Sequence, residues 1–240
     1  MRCYLLLLTL CAIPFSYASD KGLPKLTVIT EDLPPLQITH NNQLVDGIAY
    51  QQVQRVLDIS ELNYNLDVLL WARAFKVATE QPNVLLFSLV RTPEREKHFI
   101  WLTQIVDMDL YLVSLKSADI NITTLQQARQ LLIGVKRHDV VYDYLTGQGF
   151  SDQKNLLIMR DTLDTYDGLL RGRVTLAPGN PEVLSAYCKD RTCKTDMFRY
   201  NVLIPELRQN FYLAASQGTD PRLLARLKIA IADSGLLVER

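Results

Sequence analysis

Short apolar runs that read as buried strands alternate along this chain with segments of helical period, and this alternation limits the fold more than any other feature. Leu26–Thr30 (LTVIT) is followed by the turn Glu31-Asp32-Leu33-Pro34-Pro35, so it reads as a buried strand. Asp46-Gly47 precedes Ile48, Val53, Val56 and Leu57 at helical spacing. Tyr64, Leu66, Val68 and Leu70 alternate with polar residues as in a second strand, WARAFKVATE (71–80) reads as a helix, and VLLFSL (84–89) as a third strand. Thr92-Pro93 offers a capping threonine with proline at a first helical position, which predicts a further helix. Strand, helix, strand, helix, strand at these spacings predict a parallel sheet with crossover helices.

The series restarts after Asp107. DLYLVSL (109–115) reads as a strand, and Thr124 with Gln127 forms a capping box. LIGV (132–135) is a strand running into Lys136-Arg137-His138-Asp139, where Asp139 caps the next helix. Residues 161–171 read as a helix stopped by Gly172, and 174–177 as a strand. Asn180-Pro181 and Asp220-Pro221 each place a cap before a helix-starting proline, with strand-like 211–215 between them. Gly147-Gln148-Gly149 reads as helix termination. Two α/β units without a flexible linker suggest two lobes sharing crossing strands.

The N-terminus predicts export. Met1-Arg2, an apolar stretch from Cys3 to Phe15 and Ser16-Tyr17-Ala18 form the pattern of a secretory leader cut after Ala18. About 13 apolar residues are too few to cross ~30 Å of hydrocarbon as a helix. Cys11 as a lipidation site requires a small preceding residue, and Leu10 is not one. Arg2 and two of the four cysteines leave with the leader, so 25 basic residues then face 26 acidic ones, a net charge of −1. With no basic excess, a protein that coats nucleic acid is excluded. The remaining Cys188 and Cys193 read as a local disulfide in an oxidising compartment. His40, His98 and His138 are scattered, so neither a metal site nor a cofactor is expected.

No nucleophile elbow, phosphate loop or zinc motif occurs, which favours binding over catalysis. Ligands of open α/β sheets sit beyond the carboxyl ends of the strands. Glu31, Trp71, Ser88, Arg91, Arg95, Asp139 and Asn180 all fall at or just after the carboxyl ends of predicted strands. Ser88-Leu89-Val90-Arg91-Thr92-Pro93-Glu94-Arg95 resembles the central motif of the family-3 periplasmic solute-binding proteins, receptors of polar amino acid ABC transporters. Glu31-Asp32-Leu33-Pro34-Pro35, Asp46-Gly47, Trp71-Ala72-Arg73-Ala74, Ile133-Gly134-Val135 and Leu170-Arg171-Gly172-Arg173-Val174 also match in order, and the similarity runs from Leu26 to Leu237.

The resemblance implies an α/β, two-lobed periplasmic-binding-protein type II fold with two hinge strands and a ligand cleft between the lobes. After a leader at 1–18, the first lobe falls at 19–108 plus 209–240 and the second at 109–208. The arginine matching Arg95 grips the ligand carboxylate in that family, through two parallel charge-assisted hydrogen bonds. Arg91 lies between rim and surface. Ser88 matches a polar contact, or is a strand serine bonded to backbone. Trp71 stacks on the ligand or fills core. Arg73 adds a second cation or forms a surface salt bridge. Asp139 and Glu31 reach the ligand, unless Asp139 only caps its helix. Two departures matter: Asn180 stands where amino acid receptors carry an aspartate for the ligand's amino group, and Val90 replaces a small polar residue. Asp would cap at 180 as well as Asn, so that exchange is expected to cost little stability.

The function so implied is a monomeric, non-enzymatic periplasmic protein that delivers a small carboxylate-bearing solute to an ABC permease. The alternatives are a sensory or partner-binding protein that signals to a membrane receptor, and an enzyme, since the fold has been reused for a cyclohexadienyl dehydratase.

Overall fold

The computed structural model describes residues 22–189 and 191–237. The expected leader, with Cys11 and the cut after Ala18, lies outside the described residues. In chain order the first stretch contains β1 (Leu26–Thr30), β2 (Ile38–His40), β3 (Gln43–Asp46), α1 (Ile48–Ser60), β4 (Tyr64–Val68), α2 (Trp71–Glu80), β5 (Val84–Val90) and β6 (Phe99–Met108). The middle stretch contains β7 (Tyr111–Leu115), α3 (Leu125–Ala128), β8 (Ile133–Lys136), α4 (Val140–Gly147), β9 (Leu156–Met159), α5 (Thr162–Leu170), β10 (Ala177–Gly179), α6 (Pro181–Cys188) and β11 (Phe198–Leu203). The chain returns through β12 (Gln209–Ser216) and α7 (Pro221–Asp233).

A five-stranded sheet in the order β4-β1-β5-β12-β6 organises the first lobe. β4, β1 and β5 run parallel, and β12 is antiparallel to both β5 and β6. Every residue of β5 is buried, because both faces of the sheet are covered. On one face Val53, Val56 and Leu57 of α1 and Leu223 and Leu227 of α7 pack on Leu26, Val28, Leu85 and Phe87. On the other, Trp71, Ala74 and Ala78 of α2 pack on Ile29, Val84, Leu86 and Leu89. Burying each such Leu, Ile or Val contributes about 1.5–3 kcal/mol. The turn into α1 needs glycine: Gly47 has φ 134°, and a Cβ there would lie 2.2 Å from the Leu36 carbonyl oxygen.

In the second lobe β10-β7-β11 form an antiparallel sheet and β8 pairs parallel with β9. The expected strand at 174–177 falls slightly later, at β10, with Leu176 bridging to Ile133. The crossing segments run side by side, Gln209 opposite Met108 and Asn210 opposite Asp107. Ile204 N–H donates to the Leu110 carbonyl at 2.9 Å, and Arg208 pairs with Asp107.

One expected helix is replaced. The Thr92 carbonyl accepts the Arg95 N–H at 3.0 Å, closing a turn, and only a single 3₁₀ turn (Glu96–His98) precedes β6. Residues 94–98 offer no apolar face to bury, whereas Phe99, Trp101 and Leu102 behind them belong to the sheet's cores.

Candidate functional site

A cavity opens where the carboxyl ends of β1 and β5 and the start of α2 meet the ends of β8 and the first turns of α4, α5 and α6. Its cavity volume is about 60 Å³. Glu31, Trp71, Ser88 and Arg95 line it from the first lobe, and Lys136, Asp139, Tyr166 and Asn180 from the second. Leu33, Val90, Met108, Leu110, Val135 and Phe211 give the rest of the wall a strongly apolar character.

Arg95 is nearly fully buried, at 4% exposure. Its Nη1 donates to the Val90 carbonyl at 3.2 Å and its Nη2 to the His138 carbonyl of the second lobe at 2.9 Å. The guanidinium lies 5.0 Å from the Phe75 ring centroid and 5.8 Å from that of Trp71, with Asp143 Oδ2 at 3.9 Å. Burial pulls its pKa below the ordinary arginine value, opposed by Asp139 and Asp143. The Trp71 indole Nε1 also donates to the His138 carbonyl, at 2.8 Å. His138 sits at φ 58°, in the left-handed region, and its imidazole stacks on Phe75 at 6.3 Å. One carbonyl of the second lobe is thus held by two side chains of the first.

A second bridge spans the cavity. Lys136 Nζ lies 2.8 and 3.0 Å from the two Glu31 carboxylate oxygens and 3.2 Å from Asp139 Oδ2. It also stands 5.5 Å from the Trp71 ring centroid, a cation–π distance. Burial opposes the charge on Lys136, yet Glu31 and Asp139 outweigh it and push the pKa up to about 12. Burial also lifts the Glu31 carboxyl above its usual value, against the pull of Lys136. Asp139 additionally caps α4, accepting the Val141 N–H at 2.9 Å.

Ser88 has φ 59° within β5, at the point where the register with β12 skips from Leu89 to Phe87. It is the extra residue of a bulge, a device that re-aims a side chain out of the strand's alternation. Its hydroxyl accepts a hydrogen bond from Gln37 Nε2. Asn180 is committed at both ends: Oδ1 accepts the Glu182 and Val183 N–H groups at 2.8 and 3.3 Å, while Nδ2 donates to the Asp109 carbonyl at 3.0 Å. An ionised aspartate would keep the cap but could not make that last bond, a difference the capping argument alone does not contain.

The cavity brings together six of the seven expected ligand residues. Arg73 is exposed on α2 and is not among the lining residues. Arg91 chelates Glu96 at 2.9 and 2.7 Å and lies 5.3 Å from the Trp101 ring and 5.5 Å from that of Tyr212, outside the cavity wall. Val90 forms apolar wall, and its carbonyl is one of the Arg95 acceptors. Cys188 and Cys193 are joined in a disulfide with Cα atoms 5.1 Å apart. Sequence reasoning missed Lys136 and Tyr166. Lys136 is the last residue of β8, a strand-end position like those it did select. Tyr166 lies inside α5 with no motif to mark it. Among the described residues no group of histidine, cysteine and carboxylate side chains could hold a metal ion.

No protein-family model matches the chain, and no curated protein does. Solved structures match over most of its length. A histidine kinase sensor domain with similarity to periplasmic binding proteins shares 16% identity at a TM-score of 0.75, covering 88% of this chain and 90% of its own. The arginine-bound form of truncated ArgBP from T. maritima shares 14% identity at a TM-score of 0.72, covering 87% and 95%. An arginine third-transport-system periplasmic binding protein from Legionella pneumophila shares 15% identity at 0.70, covering 88% and 93%. At such identities the likeness speaks for architecture, and with the sheet order and crossing strands above it gives this chain the two-lobed α/β fold of the periplasmic binding proteins, with its cleft between the lobes.

Proposed function

We propose that this chain is a periplasmic solute-binding protein of the family-3 type, without catalytic activity or cofactor, that closes on a small polar carboxylate-bearing solute (an amino acid or related organic acid) and delivers it as a monomer to an ABC-type importer. Residues 1–18 are its leader, 19–108 with 209–240 its first lobe and 109–208 its second. The observation that carries this reading is the cavity itself: both lobes contribute polar side chains at the carboxyl ends of their strands, around an otherwise apolar wall. Arg95, with its planar fork of donors, is the residue in that wall best suited to a carboxylate.

A second reading, a sensory or partner-binding protein on the same fold, is favoured by the direct bonds between lobes at His138 and Lys136. A protein held shut by its own side chains can present a closed surface to a partner without cargo.

A thermal-shift screen of amino acids, organic acids and polyamines tests the first reading. A solute at 100 times its dissociation constant stabilises by about 2.7 kcal/mol, or about 5–11 °C for a chain of this size. A flat response to every carboxylate overturns the solute-binding reading.

A further inference from the structure

We propose that Glu31, Asp139 and the Trp71 ring form an ammonium cage which the protein fills with its own Lys136, so that the solute taken by this cleft carries no ammonium group. The inference rests on the reading of the cavity as a solute site, and it narrows the class of solute.

The cage has the parts an alkylammonium requires. Three N–H donors on one nitrogen need three acceptors, and Nζ has three carboxylate oxygens within 3.2 Å, two from Glu31 and one from Asp139. The aromatic face completes the enclosure at 5.5 Å. All three charged side chains are withdrawn from water, at 7%, 14% and 11% exposure for Glu31, Asp139 and Lys136. Glu31 and Asp139 are also the only carboxylates among the described residues that line the cavity. The Asn180 amide, also in the wall, has spent its oxygen on α6 and its nitrogen on Asp109.

A solute ammonium therefore finds no free carboxylate. It must expel Lys136 or share the cage with a like charge, and burying a second, uncompensated cation is costly. A solute with a carboxylate and no amine meets no such conflict. Lys136 is then a specificity-determining residue, one that excludes by occupying the subsite rather than by a clash.

The test uses the exported chain with Lys136→Ala, which deletes the equivalent of n-propylammonium. That probe should bind the emptied cage and raise the melting temperature of Lys136→Ala by about 3–6 °C at ten times its dissociation constant. 1-Propanol at the same concentration and ionic strength should not, and wild-type protein should respond to neither. Adding Glu31→Gln should abolish the rescue. If Lys136→Ala does not fold unaided, recovery on refolding becomes the readout, with n-propylammonium required and 1-propanol ineffective. Equal effects of amine and alcohol, or none from the amine, overturn the cage. An amino acid that binds wild type as tightly as it binds Lys136→Ala overturns the exclusion. Failure of the carboxylate screen alone would refute the solute-binding reading and leave the rescue result standing, so the two are separable.

Discussion

Replacing Asn180 by aspartate changes one atom of the side chain, and the structure says what that atom does. Oδ1 can remain on the Glu182 and Val183 N–H groups, so the cap of α6 survives. Nδ2 is lost, and with it the 3.0 Å bond to the Asp109 carbonyl. A carboxylate oxygen then faces a carbonyl oxygen at a site only 4% exposed. Leaving a buried acceptor without its donor costs about 1–3 kcal/mol. The added negative charge at a helix N-terminus returns about 0.3–1 kcal/mol. The net expectation is a loss of about 1–2 kcal/mol, or about 2–8 °C in melting temperature. Asn180→Ser keeps a capping oxygen without the charge and should lose a similar amount, which separates the missing hydrogen bond from the electrostatics. The deficit of Asn180→Asp belongs to the ionised form, because a protonated carboxyl can again donate to the Asp109 carbonyl. Its pKa in the folded state should therefore be raised, and the deficit should shrink as pH falls through that value. Calorimetric scans across mildly acidic pH measure both effects. A variant that melts with wild type at neutral pH, or whose deficit ignores pH, refutes this account of Asn180.

Four further outcomes are expected. Gly47→Ala forces a Cβ to 2.2 Å from the Leu36 carbonyl oxygen at φ 134°, and should cost about 3 kcal/mol or more in urea unfolding; a loss under about 1 kcal/mol contradicts the turn geometry. Reducing Cys188–Cys193 should cost about 2 kcal/mol, because so short a loop constrains the unfolded chain little, and a loss of the whole fold in dithiothreitol would show that the bond does more. Lys136 has a folded pKa above its ordinary value, so its contribution is complete below pH about 10.5 and disappears as pH rises through about 12; Lys136→Met, which leaves Glu31 buried without its partner, should be less stable than wild type by about 3–5 kcal/mol at neutral pH, the gap should narrow over that window, and a constant gap would refute the pairing. Arg95→Ala removes the donors to the Val90 and His138 carbonyls and should raise the radius of gyration in small-angle scattering; an unchanged envelope would mean that this latch does not hold the lobes together.

Much of this architecture is written locally. β1 is announced by LTVIT and the turn after it, and the helices α4, α6 and α7 by Asp139, Asn180-Pro181 and Asp220-Pro221, because a cap and its partner lie within three residues of each other. β6 was hidden for the opposite reason. Its ten residues pair with β12 from more than 100 positions away, and the two register shifts along that pairing break the alternation a reader looks for. The same distinction runs through the site. Strand-end position was enough to select Glu31, Trp71 and Asp139 as cavity wall, while Ser88 enters it from a bulge inside β5. What each one touches depends on residues brought across the cleft: Glu31 meets Lys136 across 105 positions, and Trp71 meets His138 across 67. Arg95 illustrates the cost. Its motif pointed to a ligand carboxylate, while the nearest acceptors in the folded chain are two carbonyls.

The pattern of charge in the cleft bears on how closure is driven. The cavity wall carries Arg95 and Lys136 against Glu31 and Asp139, a formal sum of zero, and both cations already bond across the lobe boundary or along the wall. A ligand shifts an opening equilibrium only by its differential affinity for the two states. In a cleft whose closed form has satisfied its own charges, a solute adds less to closure than it does where it must supply the missing countercharge. On the solute-binding reading, affinity would then rest on the apolar wall of Leu33, Val90, Met108, Leu110, Val135 and Phe211 and on the donors that Arg95 releases. Weakening a latch has opposite consequences under the two functional readings. In a transporter receptor it lowers the closed background and sharpens the response to cargo. In a sensory protein that signals by being closed, the same change removes the signal. With a cargo from the thermal-shift screen in hand, the direction of the change in a Lys136→Ala strain therefore separates import from sensing, whereas Arg95→Ala also removes the proposed carboxylate donors.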